Sequence, residues 1–182
     1  DTTTGALLQT LRGPSVSFGL GFAVALNGNI ALISAPYHNF EGNRVGQAHL
    51  FNTDTGTLLH TLDDPTVTDW DLFGSSVALD GNLALVGAPN DDTNGADVGQ
   101  AHVFDVGTGV LLHTFNDPTV TDADRFGSSL ALDGNLALIT DPDDDTNGPN
   151  YSQAQHFDTP TGTLLHTFDD PSVTYSAQVA LD

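Results

Sequence analysis

Two loops of this chain carry oxygen ligands at a spacing that suggests metal chemistry. Asn90, Asp92 and Asn94 stand at alternate positions before Gly95, and Asp143, Asp145 and Asn147 do the same before Gly148. Alternation turns every second side chain toward one centre, and the glycine allows the sharp bend with which an oxygen-ligand loop wraps calcium. The six residues are therefore the candidate calcium ligands of these loops. The pattern lacks its closing member, because Ala101 and Ala154 occupy the twelfth positions where an EF-hand places a bidentate Glu. The competing reading is a solvated acidic turn without an ion. A second acidic set precedes the Phe-Gly pairs, Asp69 with Asp71 and Asp122 with Asp124. Capping of a linker turn is the reading favoured there, with a share in a metal site as the alternative.

Other reactive types are present without a constellation. His60, His113 and His166 occupy one recurring position and read as strand-surface residues, because equivalent positions on separate units need not converge. Ser75-Ser76 and Ser128-Ser129 have no His or Asp partner at a recognisable spacing, so the chain is read as a non-enzyme. Asn150-Tyr151-Ser152 is a sequon, and Asn150 is a candidate for glycosylation.

The elements that must position these residues repeat. Phe73 to Phe104 reads as strand, tight turn, strand, acidic loop, strand. Asp80-Gly81-Asn82 supplies the hairpin signal, through residues that tolerate positive φ. Phe126 to Leu138 copies the start of this stretch 53 residues later, and the TGxLLHTF segments are spaced alike. A fixed period of this size means a repeat architecture. Each unit holds four short strands, in repeats at about 20–62, 73–115 and 126–168 within a single region, 1–182. Residues 1–12 read as the last strand of a preceding unit, and 175–182 as the first strand of a following one. Four antiparallel strands per repeat predict an all-β fold of β-propeller blades, three full blades with a leading and a trailing strand.

Composition narrows the partners. The formal charge is −21, with three Arg, no Lys, and Glu41 as the sole glutamate among 24 acidic residues. Nucleic acid and anionic membranes call for a cationic surface, so neither is an expected partner. No Cys is present, which leaves out disulfides and thiol chemistry. No apolar run reaches the roughly 20 residues of a spanning helix, so membrane insertion is not expected.

The pairs Phe73-Gly74 and Phe126-Gly127, with Val86-Gly87-Ala88-Pro89, spell a known signature. The chain resembles the FG-GAP repeat of integrin α-subunit propellers and of many secreted bacterial and algal proteins. Gly99 to Phe104 resembles a strand of the bacterial members. The first and third units depart from the signature at Ile33-Ser34-Ala35-Pro36 and Ile139-Thr140-Asp141-Pro142. The resemblance implies a propeller outside the cell or at its surface, working in adhesion or ligand binding and often with calcium. The family's usual calcium loop lies between the first and second strands, where Asp80-Gly81-Asn82 and Asp133-Gly134-Asn135 are too short to wrap an ion. The functional expectation is a non-enzymatic module that binds an extracellular protein or glycan. The alternative is the structural subunit of an extracellular filament or sheath, a homo-oligomer or fibre assembled from copies of itself through exposed strand edges.

Overall fold

The computed structural model of the chain describes residues 3–14, 19–40, 43–66, 68–120, 123–146 and 152–170. Asp122, Asn147, Asn150 and the expected trailing strand at 175–182 lie outside them. Within them the chain is all-β. The first sheet holds β1 (Val24–Asn27), β2 (Ile30–Ala35), β5 (Gln47–Asn52) and β6 (Thr57–Asp63). The second holds β7 (Ser76–Asp80), β8 (Leu83–Ala88), β9 (Gln100–Asp105) and β10 (Leu111–Asn116). The third holds β11 (Leu130–Asp133), β12 (Leu136–Asp141), β13 (Ser152–Asp158) and β14 (Thr163–Asp170). Each is an antiparallel meander, in register from blade to blade: Val24 pairs Ile33, Val77 pairs Val86, and Leu130 pairs Ile139. These are the three propeller-like blades that the repeat predicts.

Two details differ from the repeat pattern. The first unit adds a small hairpin, β3 (Asn39–Phe40) with β4 (Asn43–Arg44), inside its long loop. Residues 3–14 take no strand, and Leu7 and Leu8 are exposed. The tight turns form where expected, but only the glycine uses the left-handed region: Gly28, Gly81 and Gly134 have φ of 57°, 51° and 54°.

The core lies between sheets. In β8, Ala84, Val86 and Ala88 pack with Leu32, Leu50, Leu62 and Phe73 toward the first blade. The alternate residue Leu85 packs with Phe115, Phe126 and Phe157 toward the third. A strand buried on both sides must be apolar at every position, which is why LALVGA shows no polar alternation. At about 1.5–3 kcal/mol for each large side chain removed from water, these two seams supply most of the attraction between blades.

The signature residues build the junctions. Phe73 N–H donates to Val45 O of the preceding blade (2.9 Å), and Phe126 N–H to Val98 O (2.8 Å). Gly74 and Gly127 then turn into their own blades with φ of 94° and 93°. Gly87 lies so close to the next blade that a Cβ there would stand 2.1 Å from Gly127 O. Where the first and third units depart from the signature, a hydroxyl takes over. Ser34 Oγ accepts Ala23 N–H (3.0 Å), and Thr140 Oγ1 accepts Ser129 N–H (3.1 Å).

Candidate functional site

The blade junctions also gather the carboxylates. After β6 the chain leaves the first blade at Asp64, crosses a linker through Asp71, and enters the second blade at Phe73. Asp91 follows β8 of that blade. Asp64, Asp71 and Asp91 are all buried and offer oxygen atoms within 4.8 Å of one another. One repeat later, Asp117, Asp141 and Asp144 form the same kind of group. Asp124, the counterpart of Asp71, is buried there too, with its carboxyl beside that of Asp117.

The linker is bent to aim these groups inward. Asp71 sits between Trp70 (φ 72°) and Leu72 (φ 56°), and Asp124 between Ala123 (φ 66°) and Arg125 (φ 60°). A left-handed conformation costs a non-glycine residue about 1–2 kcal/mol, so the same strain recurring in both linkers marks a constrained position. Asp71 does cap the turn, accepting Thr68 N–H (2.8 Å) and the Thr68 hydroxyl. It also belongs to the cluster of buried carboxylates. Thr66 Oγ1 lies within hydrogen-bond distance of Asp64 Oδ1 (3.1 Å) and Asp91 Oδ2 (2.6 Å), and Thr119 Oγ1 of Asp117 Oδ1 and Asp144 Oδ2 (both 3.0 Å). Backbone N–H groups serve the same carboxyls: Thr66 N–H donates to Asp64 Oδ1 (2.9 Å) and Thr119 N–H to Asp117 Oδ1 (2.8 Å), while Thr93 N–H donates to Asp91 Oδ1 (2.8 Å) and Thr146 N–H to Asp144 Oδ1 (2.6 Å).

Burial raises the Asp64 carboxyl to about 7, with the charges of Asp71 and Asp91 adding to the rise. Asp141 is raised to about 8 by burial, against donation from Gln155, with Asp117 and Asp144 pushing the same way. Asp71 and Asp117 are raised as well, burial first. Groups so placed suit one of two occupants, protons or a hard cation that takes oxygen ligands.

Of the residues expected to wrap calcium, Asp92, Asn94 and Asp145 occupy the same loops but are exposed. Asp92 and Asn94 are exposed; Asp92 Oδ1 accepts Asp97 N–H (2.8 Å), and Asn94 donates to Asn116 Oδ1 (2.7 Å). Asn90 is half-buried, Asp145 is exposed, and Asp143 forms a surface ion pair with Arg125 (3.1 Å). The inward residues are those between them, Asp91 and Asp144. Sequence reasoning missed these two, together with Asp64, Asp117 and Asp141. A signal was available: Asp64 and Asp117, Asp71 and Asp124, and Asp91 and Asp144 are all 53 apart.

Of the remaining candidates, His60, His113 and Ser76 reach across to the next blade. His60 Nε2 lies 3.1 Å from Gly107 O, and His113 Nε2 lies 2.9 Å from Pro160 O, each reaching a turn of the next blade. Ser75 and Ser128 hydroxyls donate to Leu72 O and Arg125 O, and Ser76 Oγ to Gly127 O (2.6 Å). His102 is buried with Nδ1 3.1 Å from Thr114 Oγ1, and burial lowers it to about 4. His49 is its counterpart, lowered by burial and by His38. In the third blade Gln155 takes the His102 position and donates to Asp141 Oδ2 (2.6 Å), so Asp141 and Gln155 replace the pair Ala88 and His102.

Fold and junctions together define a repeat protein of propeller-like blades with buried carboxylates gathered at the blade junctions. Residues 65–104 match the family model described as FG-GAP repeat. A search of curated proteins gives no match. Among solved structures, the crystal structure of the computationally designed Ika8 protein is similar, with a TM-score of 0.56 and 18% sequence identity over 90% of this chain. The match covers 39% of the Ika8 chain, and at that identity the likeness is one of fold.

Proposed function

We propose that the chain is a non-enzymatic, extracellular β-propeller module for adhesion, binding a protein or glycan ligand. The observation that carries this reading is a cleft of about 460 Å³ between the second and third blades, at their tight-turn end. Leu83, Leu112 and Pro160 give it an apolar floor, and Asp80, Asn82, Asn135 and His113 surround it with polar groups. Apolar surface with a few fixed polar groups is the usual make-up of a ligand pocket, and side-chain amides and carboxylates suit the hydroxyls of a sugar. The FG-GAP repeat supports the extracellular setting, and no described helix is long and apolar enough to cross a membrane. The test is binding of the purified chain to arrays of glycans and extracellular matrix proteins. The expected result is a saturable ligand whose affinity falls at least tenfold in Asn135→Ala or Leu112→Asp. A ligand indifferent to both substitutions, or none at all, would remove the cleft from the proposal.

The outer faces favour a second reading, a structural subunit that stacks on copies of itself. Val24 and Leu26 are 66% and 68% exposed, while their counterparts Val77 and Leu79 pack on the preceding blade. Phe168 is 54% exposed, whereas its counterpart Phe115 is 2% exposed. One end thus presents what the other end can cover, a head-to-tail contact that does not close on itself. Sedimentation separates the readings: polymers that lengthen with concentration support the subunit, and a monomer supports the binding module.

A further inference from the structure

We infer that each blade junction is a binding site for one hard divalent cation, calcium above all, held by Asp64, Asp71 and Asp91 at the first junction and by Asp117, Asp141 and Asp144 at the second. Two oxygens on opposite sides of a calcium ion stand about 4.8 Å apart, twice the usual 2.4 Å bond. The carboxylate oxygens at each junction fall within that span.

An acidic cluster alone would not carry this. The independent observation is an orphaned oxygen. Asp64 is 5% exposed, and its Oδ2 is shut from solvent without a hydrogen-bond donor. Asp117 is 4% exposed, and its Oδ2 is equally without a donor. The neighbours of both are further carboxylates. A buried charged acceptor left bare is strongly unfavourable, and here it recurs at the same repeat position. The partner oxygens have donors, Thr66 N–H on Asp64 Oδ1 and Thr119 N–H on Asp117 Oδ1, so the bare Oδ2 atoms are those left for a ligand. Among the described residues the one ion pair is Arg125 with Asp143, at the surface, so protein cations leave these clusters uncompensated.

The site draws ligands from both sides of a seam. Asp64 ends the first blade, Asp71 lies in the linker, and Asp91 belongs to the second blade. A bound ion therefore fastens consecutive blades, which the outward-facing loop residues Asp92 and Asn94 could not do. This inference is independent of the ligand-binding reading and stands or falls separately from it.

The full chain, stripped with chelator, is titrated with Ca²⁺ and in parallel with Mg²⁺ at neutral pH and physiological salt. The expected result is two ions per chain and a melting temperature raised by about 5 °C or more at a hundredfold excess over Kd. Asp64→Asn and Asp117→Asn each lose one ion, while Asp133→Asn, an exposed turn variant with the same charge change, keeps both. Trp70 is the single tryptophan and adjoins Asp71, so Tb³⁺ at the first junction glows on tryptophan excitation and is displaced by Ca²⁺. That readout uses the unaltered chain and holds even where a variant fails to fold. Three results would overturn the inference: no saturable ion with a melt indifferent to chelator; ion loss in Asp92→Asn with retention in Asp64→Asn; or a stability that depends on pH alone, which would mean protons occupy the clusters.

Discussion

Gly87 shows how much one absent methyl group decides. A Cβ would meet Gly127 O at 2.1 Å and Ser76 Oγ at 2.3 Å, and the first of these belongs to the backbone of the next blade. Gly87→Ala therefore forces two blades apart, and we expect a loss of about 1–3 kcal/mol in urea unfolding. Gly28→Ala, where nothing lies within 4 Å, adds only the strain of its φ of 57° and should lose about 1–2 kcal/mol. Gly87 has no left-handed φ to strain, so a Gly87→Ala variant as stable as the unaltered chain would mean that the junction contact is not what confines it. His102 supplies a second prediction at this scale. Its folded value near 4 lies below the ordinary 6.5, so the unfolded chain takes up the proton first as pH falls. The stability it gives is complete above about 6.5 and is lost on the way down to about 4, a change on the order of 2–3 kcal/mol. The carboxyls of Asp64 and Asp141 act in the opposite sense in chelated protein, since raised values gain stability as pH falls. Comparing His102→Gln with the unaltered chain isolates the histidine: the variant should lose less between pH 7 and pH 4.5, and parallel curves would contradict the assignment.

At the scale of elements, strands and turns were legible because their causes are local. Apolar alternation in Val77-Ala78-Leu79, the Gly81 turn and the recurrence at 53 residues each act over a few neighbours, and each blade formed where they indicated. That β8 is buried on both faces was not legible in the sequence, because the seams on its two sides are made by other blades. The acidic site was not legible in the same way. A loop read alone suggests that it wraps its own ion, which selects Asp92 and Asn94. The junction instead takes one carboxylate from a strand end, one from a linker and one from the next blade, at positions 64, 71 and 91. No window of a few residues contains that group. The strained linker was equally hidden, because nothing about Trp70 or Leu72 announces a left-handed conformation. The small hairpin β3–β4 also escaped notice, lying where the first unit differs most from the other two.

For the whole molecule, a charge of −21 with three arginines means that folding gathers like charges. Self-repulsion of this kind weakens as salt screens it over distances of about 10 Å at 0.1 M. In chelated protein, raising NaCl from low to moderate concentration should lift the melting temperature by a few degrees, and a flat or falling response would show that surface charge is not a burden on the fold. The two apolar seams draw the blades together against that repulsion. The histidines His60 and His113 fasten the tight-turn end of each seam, and the carboxylate clusters occupy the other end. Stability and any ligand binding in the cleft between the second and third blades therefore both depend on the junctions more than on any single sheet.

The most direct test is a crystal structure of the chain grown with calcium, with anomalous differences collected to locate the ions. The account predicts one ion at each junction, about 2.3–2.6 Å from carboxylate oxygens of Asp64, Asp71 and Asp91, and of Asp117, Asp141 and Asp144. Junctions free of anomalous density, or ions seated only on Asp92, Asp143 and the outer loops, would contradict it.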